Sequence, residues 1–240
     1  LGGDIADFPL LVKYIDAGDK LSIQVHPAKT EKWYVVDCDE DSWLIYGQEG
    51  DYTEADLRAA LDCGKLEDKL TKVHIKPGEC YFIPTGLTHA IGGGILIAEI
   101  QENSNITYRV YDYDRRQDDG SLRELHTDRA FTVMKKFTED EIQKLRFSVP
   151  CHAPVMMKNY SGTSGLLASC DKFTTRRFDF SGELTLTADE HFLHIMCVDG
   201  AGTLSGEPIK AGDSYFVPAG TGEVTLRSDS RLTILESFCL

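Results

Sequence analysis

The sequence predicts a mainly β protein whose two halves share one design, with a small helical insertion in the first half. Short runs that alternate apolar and polar residues, as half-buried strands do, recur along most of the chain. The stretch around 53–70 changes to a helical period. An internal repeat then relates segment 75–89 to segment 209–223 at a constant offset of 134 residues. Together these observations favour two barrels of one type.

The first half alternates as a meander of strands requires. In segment 20–26, three aliphatic residues fall on one face, while Ser22, Gln24 and His26 fall on the other. The other runs predicted as strands are 8–16, 33–37, 42–47, 73–76, 80–83, 95–99 and the run that follows around 108–112. A polar face on a strand of this kind either meets water or lines a polar cavity.

Helical signals are confined to three places. Thr53, an acidic first turn and good helix formers predict a helix over 53–62, with a short second turn near 65–70. Segment 126–136 is compatible with helix or strand, and the stretch from Thr138 to 142–145 is predicted as a capped helical turn. The polar stretch 115–124 is predicted as a loop.

We place a domain boundary at Pro150, giving a catalytic domain over 1–149 and a second domain over 150–240. The strands predicted in the second domain are 175–178, 184–187, 191–198, 213–218, 224–227 and 232–236. In the repeat, Glu223 stands where the first copy has His89. We therefore interpret the second half as a degenerate structural copy.

Composition excludes several function classes. With 25 basic against 39 acidic residues, the net charge of −14 argues against a nucleic-acid partner or an anionic membrane surface. One local basic cluster would still suffice to bind an anionic small molecule. No apolar run reaches the ~20 residues that a membrane span needs. Seven scattered cysteines without a C-x-x-C pattern, and no signal peptide after Leu1, favour reduced thiols and a cytoplasmic protein. The sequence does not indicate an oligomeric state.

A spaced motif follows the fifth predicted strand. Gly78, Pro84, Gly86 and His89 stand in the pattern Gly-x5-Pro-x-Gly-x2-His, with strands on either side. This spacing resembles the second motif of the cupin superfamily, whose double-stranded β-helix, or jelly-roll, barrels bind a metal inside. The chain departs from that motif at Gly93, where the motif ends in Asn.

Four residues form a candidate metal-ligand set. Gln24 and His26 share one strand face, Glu31 comes just before the next strand, and His89 comes from the motif. One amide oxygen, two imidazoles and one carboxylate suit zinc or another borderline divalent metal. The Q-x-H pattern with its nearby Glu and the Gly/Pro/Gly/His spacing are independent signals, so their coincidence favours a site over four unrelated polar residues. His74 and His126 have no such partners, and we interpret them as structural.

Four segments together resemble a larger family. Residues 21–27, 29–34, 84–90 and 108–112 are similar to the type I mannose-6-phosphate isomerases of the short bacterial form. The resemblance implies one zinc ion per chain, held by Gln24, His26, Glu31 and His89. It implies that Arg109 and Glu99 are catalytic and that Ser22 and Lys29 line the sugar-phosphate pocket.

The resemblance also implies a reaction. In that family, mannose 6-phosphate and fructose 6-phosphate interconvert as a proton moves between C1 and C2 through an enediol. Glu99, Lys29 and a zinc-bound water remain open as the general base. Glu99 could instead be a rim carboxylate that pairs with Arg109. The connection between Pro27 and Lys29 is shorter than is usual in the family, and its members carry a further segment before the position of Phe8.

Two carboxylates and two arginines follow Arg109. We expect Asp112 and Asp114 to pair with Arg115 and Arg116, and we do not assign them to the chemistry.

Two other functions compete with this reading. Another cupin metalloenzyme, such as an oxygenase, would favour iron and a histidine-rich site, and Gln24 in a ligand position argues against it. The other is a non-catalytic, metal-stabilised sugar-binding cupin. The complete ligand set and Arg109 argue against that alternative.

Overall fold

The computed structural model of the chain describes residues 7–48, 50–146, 153–154 and 160–239. Its contacts divide the chain into two compact units. The first unit is Val12–Arg146, and the second combines the described residues up to 11 with those from 153 onward. The described chain is mainly β, as predicted. Pro150, the predicted boundary, lies outside the described residues.

Nine strands build the first unit within the described ranges. They are β1 (Leu10–Ala17), β2 (Ile23–Val25), β3 (Glu31–Cys38), β4 (Trp43–Gln48), β5 (Leu70–His74), β6 (Cys80–Ile83), β7 (His89–Ile91), β8 (Ile95–Glu102) and β9 (Tyr108–Tyr111). One sheet has the order β1-β8-β3-β6 and the other β5-β4-β7-β2-β9. Neither sheet closes on itself among the described strands. Of the run predicted over 20–26, only the three residues of β2 pair as strand.

The two sheets of the first unit face each other across a core. Trp33 and Tyr81 from the first sheet pack in one cluster with Leu44, Tyr46 and Ile91 from the second. The opposite face of the five-stranded sheet packs against helices. The residues of that outer cluster include Ile23, Val25, Ile45 and Val110 of the sheet and Leu57, Ala130 and Phe131 of the helices. Polar residues on the inner face of β2 therefore point between the sheets, toward β3 and β8.

Three α-helices and a 3-10 helix complete the described part of the first unit. They are α1 (Glu54–Asp62), the 3-10 helix (Leu66–Lys69), α2 (Thr127–Val133) and α3 (Glu139–Arg146). The predicted Thr53 cap is confirmed, because its side chain accepts from the Asp56 N–H in a capping box. Segment 126–136, open between helix and strand, contains α2. The capped turn predicted from Thr138 to 142–145 is confirmed as α3, whose Glu141 N–H donates to the Thr138 hydroxyl. None of the described helices is long and apolar enough to cross a membrane.

The described part of the second unit is one large antiparallel sheet. Its strands are β10 (Ala153–Pro154), β11 (Tyr160–Ser169), β12 (Thr174–Ala188), β13 (Leu193–Leu204), β14 (Glu207–Lys210), β15 (Ser214–Val217) and β16 (Gly222–Phe238). The order is β10-β11-β12-β16-β13-β14, and β15 also pairs with β13. β12 and β16 each run through a region where the sequence predicted two strands. A register shift between Phe180 and Gly182 bends the pair without ending it.

The repeated segment differs between the units at its last residue. His89 is fully buried, whereas Glu223 at the same offset is exposed and Val224 joins the apolar core instead. Glu223 therefore does not replace His89 in an inward-facing position. At the end of the repeat, the inward-facing residue of the second unit is therefore one position later than in the first. A constant sequence offset cannot reveal this shift.

Candidate active site

The motif delivers His89 through two glycine turns. Gly78 and Gly86 both have φ near +90°, a conformation that favours glycine. The Gly86 N–H donates to the His26 carbonyl at 3.0 Å, and the Lys135 N–H donates to the Gly86 carbonyl at 2.8 Å. The turn therefore fixes the start of β7 beside the end of β2, which brings His89 next to His26.

Three of the four predicted ligands converge. The potential ligand atoms of His26, Glu31 and His89 all lie within 4.8 Å of one another. His26 Nε2 is 3.1 Å from Glu31 Oε1, and His89 Nε2 is 3.9 Å from Glu31 Oε2. All three side chains are at most 2% exposed. The two imidazoles come from the five-stranded sheet and the carboxylate from the facing sheet, so the cluster bridges the core.

The outer nitrogen of each imidazole is already bonded. His26 Nδ1 lies 3.2 Å from the Ile106 carbonyl, and His89 Nδ1 lies 2.8 Å from the Leu87 carbonyl. A carbonyl only accepts, so each Nδ1 donates, and in the neutral ring the lone pair is then on Nε2. Neither buried Nε2 has a hydrogen-bond partner in the described part of the chain. Metal-binding histidines are oriented in the same way.

Electrostatics favour the protonation states that a cation needs. Burial alone would raise the pKa of Glu31, but His26, His89 and Lys29 outweigh it, and the pKa is lowered. Burial lowers the pKa of His89 to about 3. The cluster therefore holds a carboxylate and a neutral imidazole near neutral pH.

Gln24 lies beside this cluster. In the antiparallel register it stands directly opposite His89 on β7 and opposite Arg109 on β9. Paired residues of neighbouring strands share a face, so all three side chains project toward the facing sheet. Ser22 is buried two residues earlier, and no described hydrogen bond joins its hydroxyl to the cluster.

Lys29 is buried against the cluster. Its Nζ is 2.6 Å from Glu31 Oε1 and 3.2 Å from Gln101 Oε1, and the residue is 4% exposed. The carboxylate and the amide oxygen accept hydrogen bonds from Lys29 and so offset the cost of burying its amino group.

Glu99 is buried and held by two donors. Lys13 Nζ donates to Oε2 at 2.5 Å, and Trp33 Nε1 donates to Oε1 at 2.9 Å. Burial, and then the nearby charge of Glu31, raise the pKa of Glu99 to about 7. Of the two alternatives left open for Glu99, the pairing with Arg109 is not observed, because the carboxylate binds Lys13 on its own sheet.

Sequence reasoning missed Lys13 and Gln101. Lys13 Nζ also donates to Gln101 Oε1 at 2.6 Å, so it links both residues. One signal could have found Lys13, which is the only charged residue in the apolar run 8–15. Gln101 lies on the same face as Glu99, two residues further along β8, and that alternation could have predicted it.

Arg109 projects from the edge strand without an anionic partner. Its guanidinium makes no ion pair or hydrogen bond with the described residues. Its backbone N–H donates to His126 Nδ1 at 3.3 Å, and its carbonyl accepts from the His126 N–H at 2.8 Å. His126, interpreted from sequence as a structural residue without partners, thus fixes the backbone of Arg109.

The loop after β9 pairs differently from the prediction. Asp112 accepts two hydrogen bonds from Arg123, at 2.6 and 2.5 Å, and Arg115 donates to the Lys20 carbonyl. The expected pairs with Arg115 and Arg116 are therefore wrong for Asp112, because the loop folds back to bring Arg123 to it.

The chain resembles proteins of known structure and name. Residues 163–236 match the model of the mannose-6-phosphate isomerase cupin domain. The chain is 36% identical to mannose-6-phosphate isomerase ManA of Bacillus subtilis, across 91% of this chain and 72% of that protein. The crystal structure of the mannose 6-phosphate isomerase from Bacillus subtilis has a TM-score of 0.83 at 32% identity, covering 99% of this chain and 76% of that one.

A more distant structure shares the fold. A mannose 6-phosphate isomerase crystallised with zinc and yttrium has a TM-score of 0.66 at 16% identity, covering 97% of this chain and 80% of that one. The identity and coverage of the Bacillus relative carry the assignment, and the shared fold agrees with it. This chain belongs to the type I mannose-6-phosphate isomerase family of enzymes.

Proposed function

We propose that this chain is a zinc-dependent aldose–ketose isomerase that interconverts mannose 6-phosphate and fructose 6-phosphate through an enediol. One observation carries the proposal. A buried cluster of two imidazoles and a carboxylate lies beside a buried Glu99 and an Arg109 without an anionic partner. Membership of the family supplies the substrate, since its named relatives are mannose-6-phosphate isomerases.

Gln24, His26, Glu31 and His89 would hold one zinc ion per chain. The two buried Nε2 atoms fit this role. His89 Nε2 has no hydrogen-bond partner among the described residues, and His26 Nε2 faces a carboxylate oxygen, which cannot donate to a lone pair. Two nitrogen ligands with a carboxylate leave room for an amide oxygen or a substrate oxygen. When bound, zinc acts as a Lewis acid that stabilises negative charge on the sugar oxygens. The distant relative crystallised with zinc supports this choice of metal.

Glu99 is the residue we favour as the general base. A base works best when its pKa lies near the operating pH, and burial brings that of Glu99 to about 7. In the proposed step from aldose to ketose, Glu99 takes the proton from C2 and returns it to C1. The proton of the C2 hydroxyl passes to the C1 oxygen, so that the aldehyde becomes an alcohol and the alcohol becomes a ketone. Lys29 is less suited, because its ammonium already donates to Glu31 and Gln101. We assign Lys29 to substrate binding as a fixed positive charge.

Arg109 and Ser22 complete the proposed site. The guanidinium of Arg109 is able to donate two parallel hydrogen bonds to an enediolate oxygen or to the phosphate. The developing charge would be stabilised without breaking an existing ion pair, since none is made in the described structure. Ser22 would donate its hydroxyl to the sugar phosphate.

We further propose that the chain consists of two cupin barrels. Residues 1–149 would form the catalytic barrel, with the helical insertion around 53–70, and 150–240 a second barrel without a metal site. One position supports a second barrel without a metal site. Leu193 on β13 pairs with Val217 as Glu31 on β3 pairs with Ile83, so a leucine stands where the first unit has a proposed ligand. We propose that the protein works in the cytoplasm.

A coupled assay with metal analysis tests the function. The purified chain should convert mannose 6-phosphate to fructose 6-phosphate and should contain zinc. A protein that binds zinc and the sugar phosphate but never releases the ketose would contradict the isomerase proposal. That result would favour the non-catalytic sugar-binding alternative. Turnover accompanied by O₂ consumption would favour another cupin metalloenzyme.

A further inference from the structure

We propose that Trp33 is a positioning residue for the isomerase reaction, because its indole N–H fixes the carboxylate of Glu99 beside the metal-binding cluster. This inference rests on the proposed function and deepens it.

Trp33 meets Glu99 through the sheet register. The two residues stand directly opposite each other on β3 and β8, and Trp33 is fully buried. Its Nε1–H donates to Glu99 Oε1 at 2.9 Å, while Lys13 donates to the other oxygen. A carboxylate held by one donor can rotate about its last bond. Two donors, one on each oxygen, leave it one orientation.

The same indole also contacts the metal-binding cluster. Its ring lies 5.3 Å from the ring of His89 at an interplanar angle of 78°, an edge-to-face contact. Glu31 lies two residues before Trp33, on the same face of β3. A single rigid side chain therefore touches the proposed base on its own sheet and a proposed zinc ligand on the facing sheet. It sets the separation between the two.

The second unit provides an internal comparison. There Ile195 on β13 stands opposite Glu236 on β16, as Trp33 stands opposite Glu99. Arg176 donates to Glu236 Oε2 as Lys13 donates to Glu99. In both units, therefore, a buried carboxylate lies between a basic side chain and the residue opposite it on the neighbouring strand.

The two units differ in the residue opposite the carboxylate, which is Trp33 in the first unit and Ile195 in the second. Ile195 offers no side-chain N–H, and Glu236 Oε1 has no hydrogen-bond partner among the described residues. Packing at this position is therefore satisfied by an aliphatic side chain. The N–H is present where the carboxylate lies next to the histidine cluster, so orientation of Glu99 explains it better than packing does.

Removal of the N–H alone tests the proposal. We would replace Trp33 with 3-benzothienylalanine, which keeps the shape of indole but has sulfur in place of the N–H. Trp33→Phe serves as a second, genetically encoded variant. Loss of this hydrogen bond to a charged group in the transition state should lower kcat by roughly tenfold to a hundredfold. The KM for mannose 6-phosphate and the zinc content should stay within about twofold of the parent.

The other tryptophan provides the matched control. Trp43 is half-buried on β4 with its ring against Lys72, and it packs on the outer apolar cluster of the five-stranded sheet. Trp43→Phe should therefore leave kcat unchanged. A benzothienylalanine enzyme with parental kcat would overturn the inference. So would a loss expressed only in KM or in zinc content, because it would assign Trp33 to packing or to metal retention.

The proposed function is tested separately by Glu99→Gln. If this variant turns over normally, Glu99 is not the base and the proposed function fails at that residue. If it is inactive while the benzothienylalanine enzyme is normal, only the inference about Trp33 fails. Loss of kcat in both, with zinc retained, supports both.

Discussion

At the scale of single residues, the backbone determines what the two histidines can do. Leu87 and Ile106 offer carbonyls to the Nδ1 atoms of His89 and His26. Each neutral imidazole therefore turns its Nε2 lone pair inward. No sequence pattern encodes this, because the carbonyl partners are chosen by turns rather than by side-chain identity.

Removal of one imidazole should release the metal. His89→Ala should lower zinc affinity by at least about tenfold, since a ligand is lost from a site with few donors. Equilibrium dialysis with metal analysis measures it. His74→Ala is the control, because His74 is exposed on β5. Equal zinc affinity in both variants would remove His89 from the ligand set.

Truncation of Arg109 should affect turnover and spare the metal. Arg109→Ala should cost at least ~10² in kcat, because the guanidinium is proposed to stabilise charge that develops during the reaction. Zinc content should stay at the parental value. The control is Arg116→Ala, whose guanidinium donates to the Gly120 carbonyl in an exposed loop. Near-normal turnover by the Arg109 variant would refute its catalytic role.

At the scale of elements, the turn–strand–turn from Gly78 to His89 positions the site. Its glycines and proline were predictable because turn chemistry depends on local φ. The partners of the strands were less predictable. Lys13 reaches Glu99 only because β1 lies next to β8, and that adjacency depends on sheet order.

The two motif glycines should differ in their tolerance of a side chain. Both have φ near +90°. A Cβ on Gly86 would lie 2.9 Å from the Val133 carbonyl, whereas on Gly78 the nearest atom is 4.0 Å away. Gly86→Ala should therefore destabilise the first unit by at least about 1 kcal/mol more than Gly78→Ala. Urea unfolding of both variants measures the difference, and equal midpoints would contradict the steric argument.

At the scale of the whole molecule, the two units differ in what their buried faces carry. Alternation predicted the β class, which the described strands confirm, while the two barrels of one type remain a prediction. The repeat could not predict that Glu223 is exposed, because a shift of one residue along a strand moves a side chain to the other face of the sheet. The sequence also did not predict that β12 and β16 are each one continuous strand, because a β-bulge and a turn have similar local sequence signals.

The second unit should lose stability in acid. Burial lowers the pKa of His194 to about 4, so the folded state stays neutral while the unfolded histidine protonates below about pH 6.5. The stabilising contribution is complete above that pH and declines as pH falls toward 4, by at most about 3 kcal/mol. His194→Gln should flatten this dependence, because glutamine does not titrate.

Urea unfolding at about pH 7 and about pH 5, followed by pulse proteolysis, measures that contribution. His74→Gln is the control, since His74 is exposed in the first unit. An unchanged pH dependence in the His194 variant would show that other groups govern acid stability.

The central claim is that one metal ion in the His26–Glu31–His89 cluster makes this chain an isomerase. Its most direct test is to strip the protein with a chelator and titrate zinc back, following conversion of mannose 6-phosphate to fructose 6-phosphate. Activity should vanish on chelation and return linearly, with a break at one zinc per chain. Turnover that persists in fully metal-free protein would contradict the account.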